Sequence, residues 1–336
     1  VRLAAHASRS PSWLAQVKRK SLCGPAELMS RDHYVSRFHL REFCDPTSLS
    51  TPDPWLWIGT LTDQVVKRRS PKNVATAPNL FAGPGAFDDS KGSVETFLAN
   101  DVESPAAFAL RALRGGAELT GGALPPPLMR YLAWAASRSL PLQRLYAKWG
   151  ENSILTNAQV AEPPPEGLLG AARRHRSVRL LHPTQGEKLV AEDEDPSQLI
   201  EDGWFPDPTE RDNFLEGAHI QAYYFQARWF PRLKWFTLRP PPDSHFILGD
   251  RPVGWGVPNC LDAPPSCLRH PAAFLIAPLS PTLALVGRNS TSPWSITPSQ
   301  VNAVLAAWSF DWIVGPTRDC VATALRDRGR ITEVWS

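Results

Sequence analysis

The chain has 336 residues, 43% of them hydrophobic and 21% charged, with 13 tryptophans and a formal net charge of +3. That length and apolar content support a sizeable buried core and exclude an intrinsically disordered chain. Residues 1–28 carry five Lys/Arg against one Glu, so the remainder sums to −1 and lacks the broad basic footprint of a protein that coats nucleic acid, although a local basic cleft stays open.

Cysteines fall at 23, 44, 260, 267 and 320, an odd number with no C-x-x-C pair, which fits free thiols in a reducing cytoplasm. Cys260, Cys267 and His270 match no usual zinc-module spacing. No run of about eighteen uninterrupted apolar residues occurs, and the nearest, Leu128 to Leu145, is broken by Arg130, Arg138 and Arg144, so no membrane span is expected. With 34 prolines, loops should be numerous and stiff.

Taken in order, residues 1–28 lack the continuous apolar core of a secretory leader and precede Met29, so they read as an extension outside the domain, with residues 29–336 as one α+β domain. The window Asp32 to Phe43, DHYVSRFHLREF, reads as a helix that sets His33, Arg37 and Arg41 at i, i+4 and i+8 as a cationic stripe. Tyr34, Phe38, Leu40 and Phe43 flank the stripe with apolar surface, so its charges need solvent or buried carboxylates. Trp55–Ile58 and Gln64–Lys67 read as a hairpin across Gly59–Asp63. A loop follows through Lys72 to Gly92, and Ser93 is a candidate N-cap for a helix to Leu113 that Pro105 should kink or divide. Pro127 opens a further apolar helix reaching Gly150.

Between Pro163 and Pro208, residues Gly167 to Arg179 read as helical and the acidic run Glu192 to Asp195 as an exposed loop. A helix is expected from Arg211 to Trp229. Leu233–Leu238, His245–Leu248, Ala273–Ala277 and Thr282–Val286 read as short strands. Ser299 is the expected cap of a helix through Trp308, followed by a strand at Trp312–Val314 and a helix at Cys320–Asp327. The fold class is therefore α+β, a mainly helical middle packed with short antiparallel strands, in which the N-terminal hairpin joins or packs near the C-terminal strands.

HYVSRFHLREF resembles the His-Tyr-Val-Pro-Arg-Phe-x-Leu-Arg-Asn-Phe opening of a bacterial family called domain of unknown function 4238, with Ser36 in place of the proline. Ser70-Pro71-Lys72-Asn73-Val74-Ala75 with Asn79-Leu80-Phe81 is similar to that family's second block, and Glu95 and Glu103 sit where it has a pair of helical glutamates. Gly249-Asp250-Arg251-Pro252-Val253 and Pro278-Leu279-Ser280-Pro281 resemble its later blocks, so the likeness runs from about Met29 to Pro316. Gly249 departs from the family's serine, and Arg138-Ser139-Leu140-Pro141 is one residue longer than its Arg-Thr-Pro. The resemblance implies an architecture and no activity.

The resemblance and the charges converge on one set of residues. His33, Glu103 and Asp250 are the candidate acid/base groups, Arg37, Arg41 and Lys72 the candidate anion binders, and Glu95 with Asp250 a candidate site for a divalent metal. On a helix, Glu95 and Glu103 would lie about 12 Å apart, too far for one ion. The expected function is hydrolysis of a phosphate-containing substrate, a nucleotide or nucleic acid, with metal or acid/base assistance. Two alternatives use the same residues: a non-catalytic protein binding a small anionic ligand or partner through the Arg/Lys pocket, and a tailoring enzyme for a small organic acid. The structural alternative is that Arg37 and Arg41 pair with Glu95, Glu103 or Asp250, that His33 bonds a backbone carbonyl, and that Asp250 accepts turn amides. No Gly-rich phosphate loop, G-x-S-x-G or H-E-x-x-H is present. The tryptophans at 204, 229, 235, 255, 294 and 308 lack an accompanying basic stripe and read as core and cleft walls.

Overall fold

The computed structural model describes residues 31–78, 96–139, 177–182, 186–191, 205–206, 218, 222, 225–257, 260, 265–289 and 296–328. The readings at Glu95, Ser93, Cys23, Trp204, Trp294 and Glu192 to Asp195, and most of those between residues 140 and 217, lie outside them.

Two four-stranded antiparallel sheets carry the fold, the first built from the C-terminal third and the second from N- and C-terminal strands together. The first has the order β10 (Gly254–Gly256), β11 (Phe274–Ser280), β12 (Leu283–Asn289), β8 (Leu233–Leu238). Every residue of β11 is buried, because the sheet has a packed layer on each face. Leu275, Ala277, Leu279, Leu283 and Leu285 face a helical layer, α2 (Ser104–Arg114) and α3 (Pro126–Ser137). The alternate residues Phe274, Ile276, Ala284 and Val286 face α4 (Pro298–Trp308). Period-2 alternation thus feeds two cores from one strand.

The second sheet has the order β3 (Val66–Arg69), β2 (Leu56–Thr60), β13 (Trp312–Gly315), β9 (Leu248–Gly249). The N-terminal hairpin forms as expected and hydrogen-bonds directly to the C-terminal strand, with Ile58 opposite Val314. Leu56, Ile58, Leu248, Trp312 and Val314 pack on α1 (Arg37–Glu42), while Ile313 faces α5 (Arg318–Asp327) and α4. Gly59 is required on the α5 face, where a Cβ would meet Val321 at 2.7 Å and Leu325 at 2.8 Å. The arrangement is α+β.

Five local readings change. The expected helix over residues 32–43 is a strand, β1 (Arg31–His33), followed by α1. β1 pairs with β4 (Thr76–Pro78), and Tyr34 N–H donates to Ala75 C=O, so His33 is held extended and does not share a stripe with Arg37 and Arg41. Ser36 at φ −56°, ψ 135° makes the corner; these are angles a proline adopts. Residues 177–179, expected to be helical, begin β5 (Ser177–His182), which pairs with β6 (Gly186–Ala191) and β7 (Phe205–Pro206). Of the strand expected at His245–Leu248 only Leu248 is in β9, and β10 was not anticipated. The cap of α4 is Thr297, not Ser299: its side chain accepts from Gln300 N–H and the Gln300 side chain answers to Thr297 N–H.

Pro105 alters its helix as expected. It has no N–H to give Asp101 C=O, the turn Leu98–Glu103 before α2 widens to a π-helix, and Arg130 Nη1 approaches the orphaned carbonyl at 3.4 Å. Gly249 also has a local cause. A side chain there would collide with the Ser309 hydroxyl, which is held on Leu305 C=O at 2.8 Å, so a serine at 249 would require that hydroxyl to give up its bond and turn away.

Candidate functional site

Two distant chain segments converge on the carboxylate of Glu103, at the end of the widened turn. Ser36 Oγ–H donates to Glu103 Oε1 at 2.5 Å, and Arg138 Nη2 donates to the same oxygen at 2.9 Å and to Ser36 Oγ. Arg138 follows the last residue of α3 and is only 2% exposed, whereas the Glu103 side chain keeps 24% of its surface in contact with solvent. The guanidinium is thus a buried cation whose counter-ion reaches the surface. Its Nε–H is buried without a hydrogen-bond partner among the described residues.

Behind this pair lies a second, wholly buried pair. Pro278 C=O can only accept, so the His39 Nε2 atom 2.7 Å away must carry the proton. His39 Nδ1 is then the acceptor for the Tyr131 hydroxyl at 2.8 Å. Burial holds His39 down to about 4, against the opposing pull of the Pro278 carbonyl, so the imidazole is neutral near pH 7. Burial likewise pushes the Tyr131 phenol well above its usual value. Pro278 is tolerated in β11 because β10 ends opposite Ile276. Beyond that point β11 has no partner strand on that side among the described residues, and the Pro278 carbonyl bonds His39.

His33 stands at the outer edge of the cluster. Its Nε2 donates to Pro71 C=O at 3.3 Å, which leaves Nδ1 as a proton acceptor. Partial burial lowers its pKa, the Pro71 contact raises it, Arg37 and Arg138 lower it, and Glu103 raises it. The charges of the cluster therefore reach this ring. Arg37, in the first turn of α1, is exposed beside it. α1 is seated by buried Leu40 and Phe43, by Phe38 against Tyr131 at 4.9 Å between ring centroids, and by the Glu42–Arg114 ion pair.

The other expected site residues go elsewhere. Lys72 pairs with Asp53 at 3.2 Å on the surface, one residue beyond the carbonyl that receives His33. Arg41 is exposed near Cys44. Asp250, fully buried at the end of β9, accepts from Phe310 N–H at 3.1 Å and from Asp311 N–H at 2.6 Å. This is the turn-amide arrangement of the structural alternative, and it does not bring Asp250 to Glu103. Glu95 is outside the described residues, and among those described no three His, Cys, Asp or Glu side chains converge as a metal site. Burial pushes Cys44 up to about 11 and Cys267 and Cys320 up to about 12, so none of these three thiols is a nucleophile near neutral pH.

Ser36, His39, Tyr131 and Arg138 were not among the expected site residues. Arg138 had a signal: an arginine interrupting an otherwise apolar helix needs a carboxylate when the helix is buried. Ser36 had one too, as a hydroxyl where the resembling family carries proline. Nothing in the spacing signals the partnership of His39 with Tyr131, 92 residues away.

Residues 31–131 match the model of a family described as "Protein of unknown function (DUF4238)". The matched segment contains Ser36, His39, Glu103 and Tyr131 and stops short of Arg138 and Pro278. No curated protein and no solved structure matches the chain.

Proposed function

Over residues 31–131 the chain belongs to the DUF4238 family, a membership that carries no activity with it, and on the geometry of the cluster we propose an enzyme that hydrolyses a phosphate-containing substrate of the nucleotide class by acid/base catalysis. One observation carries the reading: a partly exposed carboxylate, fixed by a buried arginine and a buried hydroxyl, acts electrostatically on a half-buried histidine whose pKa is lowered, and an exposed arginine acts on the same ring. In this reading Glu103 takes a proton from the attacking water, His33 Nδ1 serves as a second proton acceptor, and Arg37 holds the anionic group. Asp250 is left out of the chemistry because its carboxylate is occupied by backbone amides. No step is routed through a metal.

A reducing cytoplasm is the proposed setting. Cys44, Cys260, Cys267 and Cys320 are all free thiols. Among the described residues no helix is long and apolar enough to cross a membrane. The exposure of Arg37, Arg41 and Lys72 favours the second reading, capture of an anionic ligand without turnover.

The test is release of inorganic phosphate from a panel of nucleoside phosphates, together with thermal-shift titration of the same compounds. His33→Gln, at a half-buried position, should lower turnover by about 10²-fold or more at unchanged melting temperature. Arg37→Ala should abolish the ligand-induced rise in melting temperature. A rise that needs Arg37 but comes with no phosphate release would establish the binding reading; neither rise nor release would end both.

A further inference from the structure

β3 ends the second sheet, and among the described residues no strand pairs with its other side. Thr60 N–H donates to Val65 C=O, and counting from that bond in steps of two makes Ile58 with Lys67 and Leu56 with Arg69 the hydrogen-bonded pairs between β2 and β3. Val66 and Arg68 therefore aim their backbone N–H and C=O groups away from β2, along the open edge. Alternation sends the Arg68 side chain to the same face as Val66, toward α5, and the Lys67 and Arg69 side chains to the opposite face, so the edge is cationic on both. Val65 beside them is 46% exposed.

Arg68 is held in place by aromatic rings. It stands opposite Trp57 in the closer, non-hydrogen-bonded kind of pair, and its guanidinium lies 4.8 Å from the Trp57 ring centroid and 5.1 Å from that of Trp55. A guanidinium that stacks through its face keeps the N–H groups of its rim for a carboxylate. Among the described residues none of Lys67, Arg68 and Arg69 has an ion-pair partner. Asp45 and Asp63 act on Arg68 and Lys67 through space, but Asp45 is bonded to Thr47 and Trp57, and Asp63 to Thr60.

We propose that this edge binds an acidic, extended segment of a partner protein, added to the sheet as a further strand beside β3. The segment exchanges hydrogen bonds with the outward N–H and C=O groups of Val66 and Arg68. Successive carboxylates of an unbroken acidic run alternate between the two faces of a strand, as the three cations do. Arg68 forks one carboxylate, and Lys67 and Arg69 meet those on the other face. A second copy of this chain does not fit, since β3 against β3 would set like charges side by side. Nucleic acid fits less well, because Arg68 already occupies the tryptophan faces on which bases would stack. The edge uses none of the residues around Glu103, so it stands or falls apart from the hydrolase reading.

The test is fluorescence anisotropy of the full chain with a labelled peptide, acetyl-Thr-Val-Glu-Glu-Glu-Val-Thr-amide, beside its counterpart with Gln for Glu. The acidic peptide should bind saturably and the Gln peptide about tenfold more weakly or worse. Arg68→Gln, at an exposed position, should weaken the acidic peptide by about tenfold at unchanged melting temperature. Arg68→Lys keeps the charge without the fork and should lose most of the same affinity. Two N-methylated forms of the acidic peptide, blocked on alternate amides, separate strand addition from attraction by charge. Methyl groups on the amides that face β3 should abolish binding, and methyl groups on the other set should leave it nearly unchanged. No binding of the acidic peptide overturns the proposal and leaves the cations as a guard against edge pairing. Equal tolerance of both methylated peptides overturns it as well. Oligothymidylate bound more tightly than the peptide, and weakened by Arg68→Gln, would make the edge a nucleic-acid face instead; self-association in sedimentation that Arg68→Gln removes would make it a contact between copies.

Discussion

Two acidic side chains, Glu103 and Asp250, are held against the interior by contrasting means. Glu103 is gripped by side chains from two distant segments, Ser36 and Arg138, and one of these is a cation buried more deeply than the acid itself. Asp250 is gripped by backbone amides, those of Phe310 and Asp311, in the turn between α4 and β13. The first arrangement leaves a carboxylate partly in solvent with charged neighbours it can respond to. The second spends both carboxylate oxygens on fixing a turn. The burial of an acidic group thus says little about chemistry until its partners are known.

The contrast can be broken most sharply at the ion pair. Glu103→Ala leaves Arg138 buried without its counter-ion, and we expect a loss of about 3–5 kcal/mol in a denaturant titration. Adding Arg138→Met should restore much of that loss, because the desolvated charge leaves with its partner. If the double variant is no more stable than the single, Arg138 is not the source of the penalty.

Asp250→Asn probes the other arrangement. It keeps the shape but leaves at least one turn amide facing an N–H group, and a loss of about 2 kcal/mol is expected. Binding that depends on Arg37, measured by thermal shift, should be unchanged. Loss of that binding at full stability would return Asp250 to the site.

The smallest effect is in the pH dependence of stability, where the two regions oppose one another. An unfolded histidine takes its proton near 6.5, while His39 is held down to about 4. Its contribution is therefore present above pH 6.5 and is lost as the pH falls toward 4. Asp250 is pushed up to about 6 by burial, against amide bonds that pull it down, from an ordinary value of 3.8. Its contribution is present below pH 3.8 and is lost as the pH rises through about 6. His33, also lowered, adds to the slope of His39. Between pH 6.5 and 4 stability should therefore fall more steeply in Asp250→Asn than in the native chain, and less steeply in His39→Gln. Parallel curves for all three would show that neither group is perturbed as its surroundings imply.

The sequence by itself determined the hairpin and several of the strands with an apolar face, such as Leu233–Leu238, because alternation and turn residues are local signals. It also determined that Pro105 disturbs its helix, since a missing N–H is a covalent fact. Even the α4 cap was there to be read, in the Thr297-to-Gln300 spacing of a capping box. Helical spacing across Asp32 to Phe43 misled because β1 takes its hydrogen bonds from β4, more than forty residues later, and a strand edge overrides local periodicity. Of the site, the sequence supplied Glu103, His33 and Arg37, and only the tertiary structure decided that Asp250 serves a turn while Ser36, His39, Tyr131 and Arg138 gather behind Glu103. The physical reason is that a buried charge or hydroxyl finds its partner wherever the packed cores bring one within 3 Å, as Ser36 and Arg138 do across 102 positions of chain.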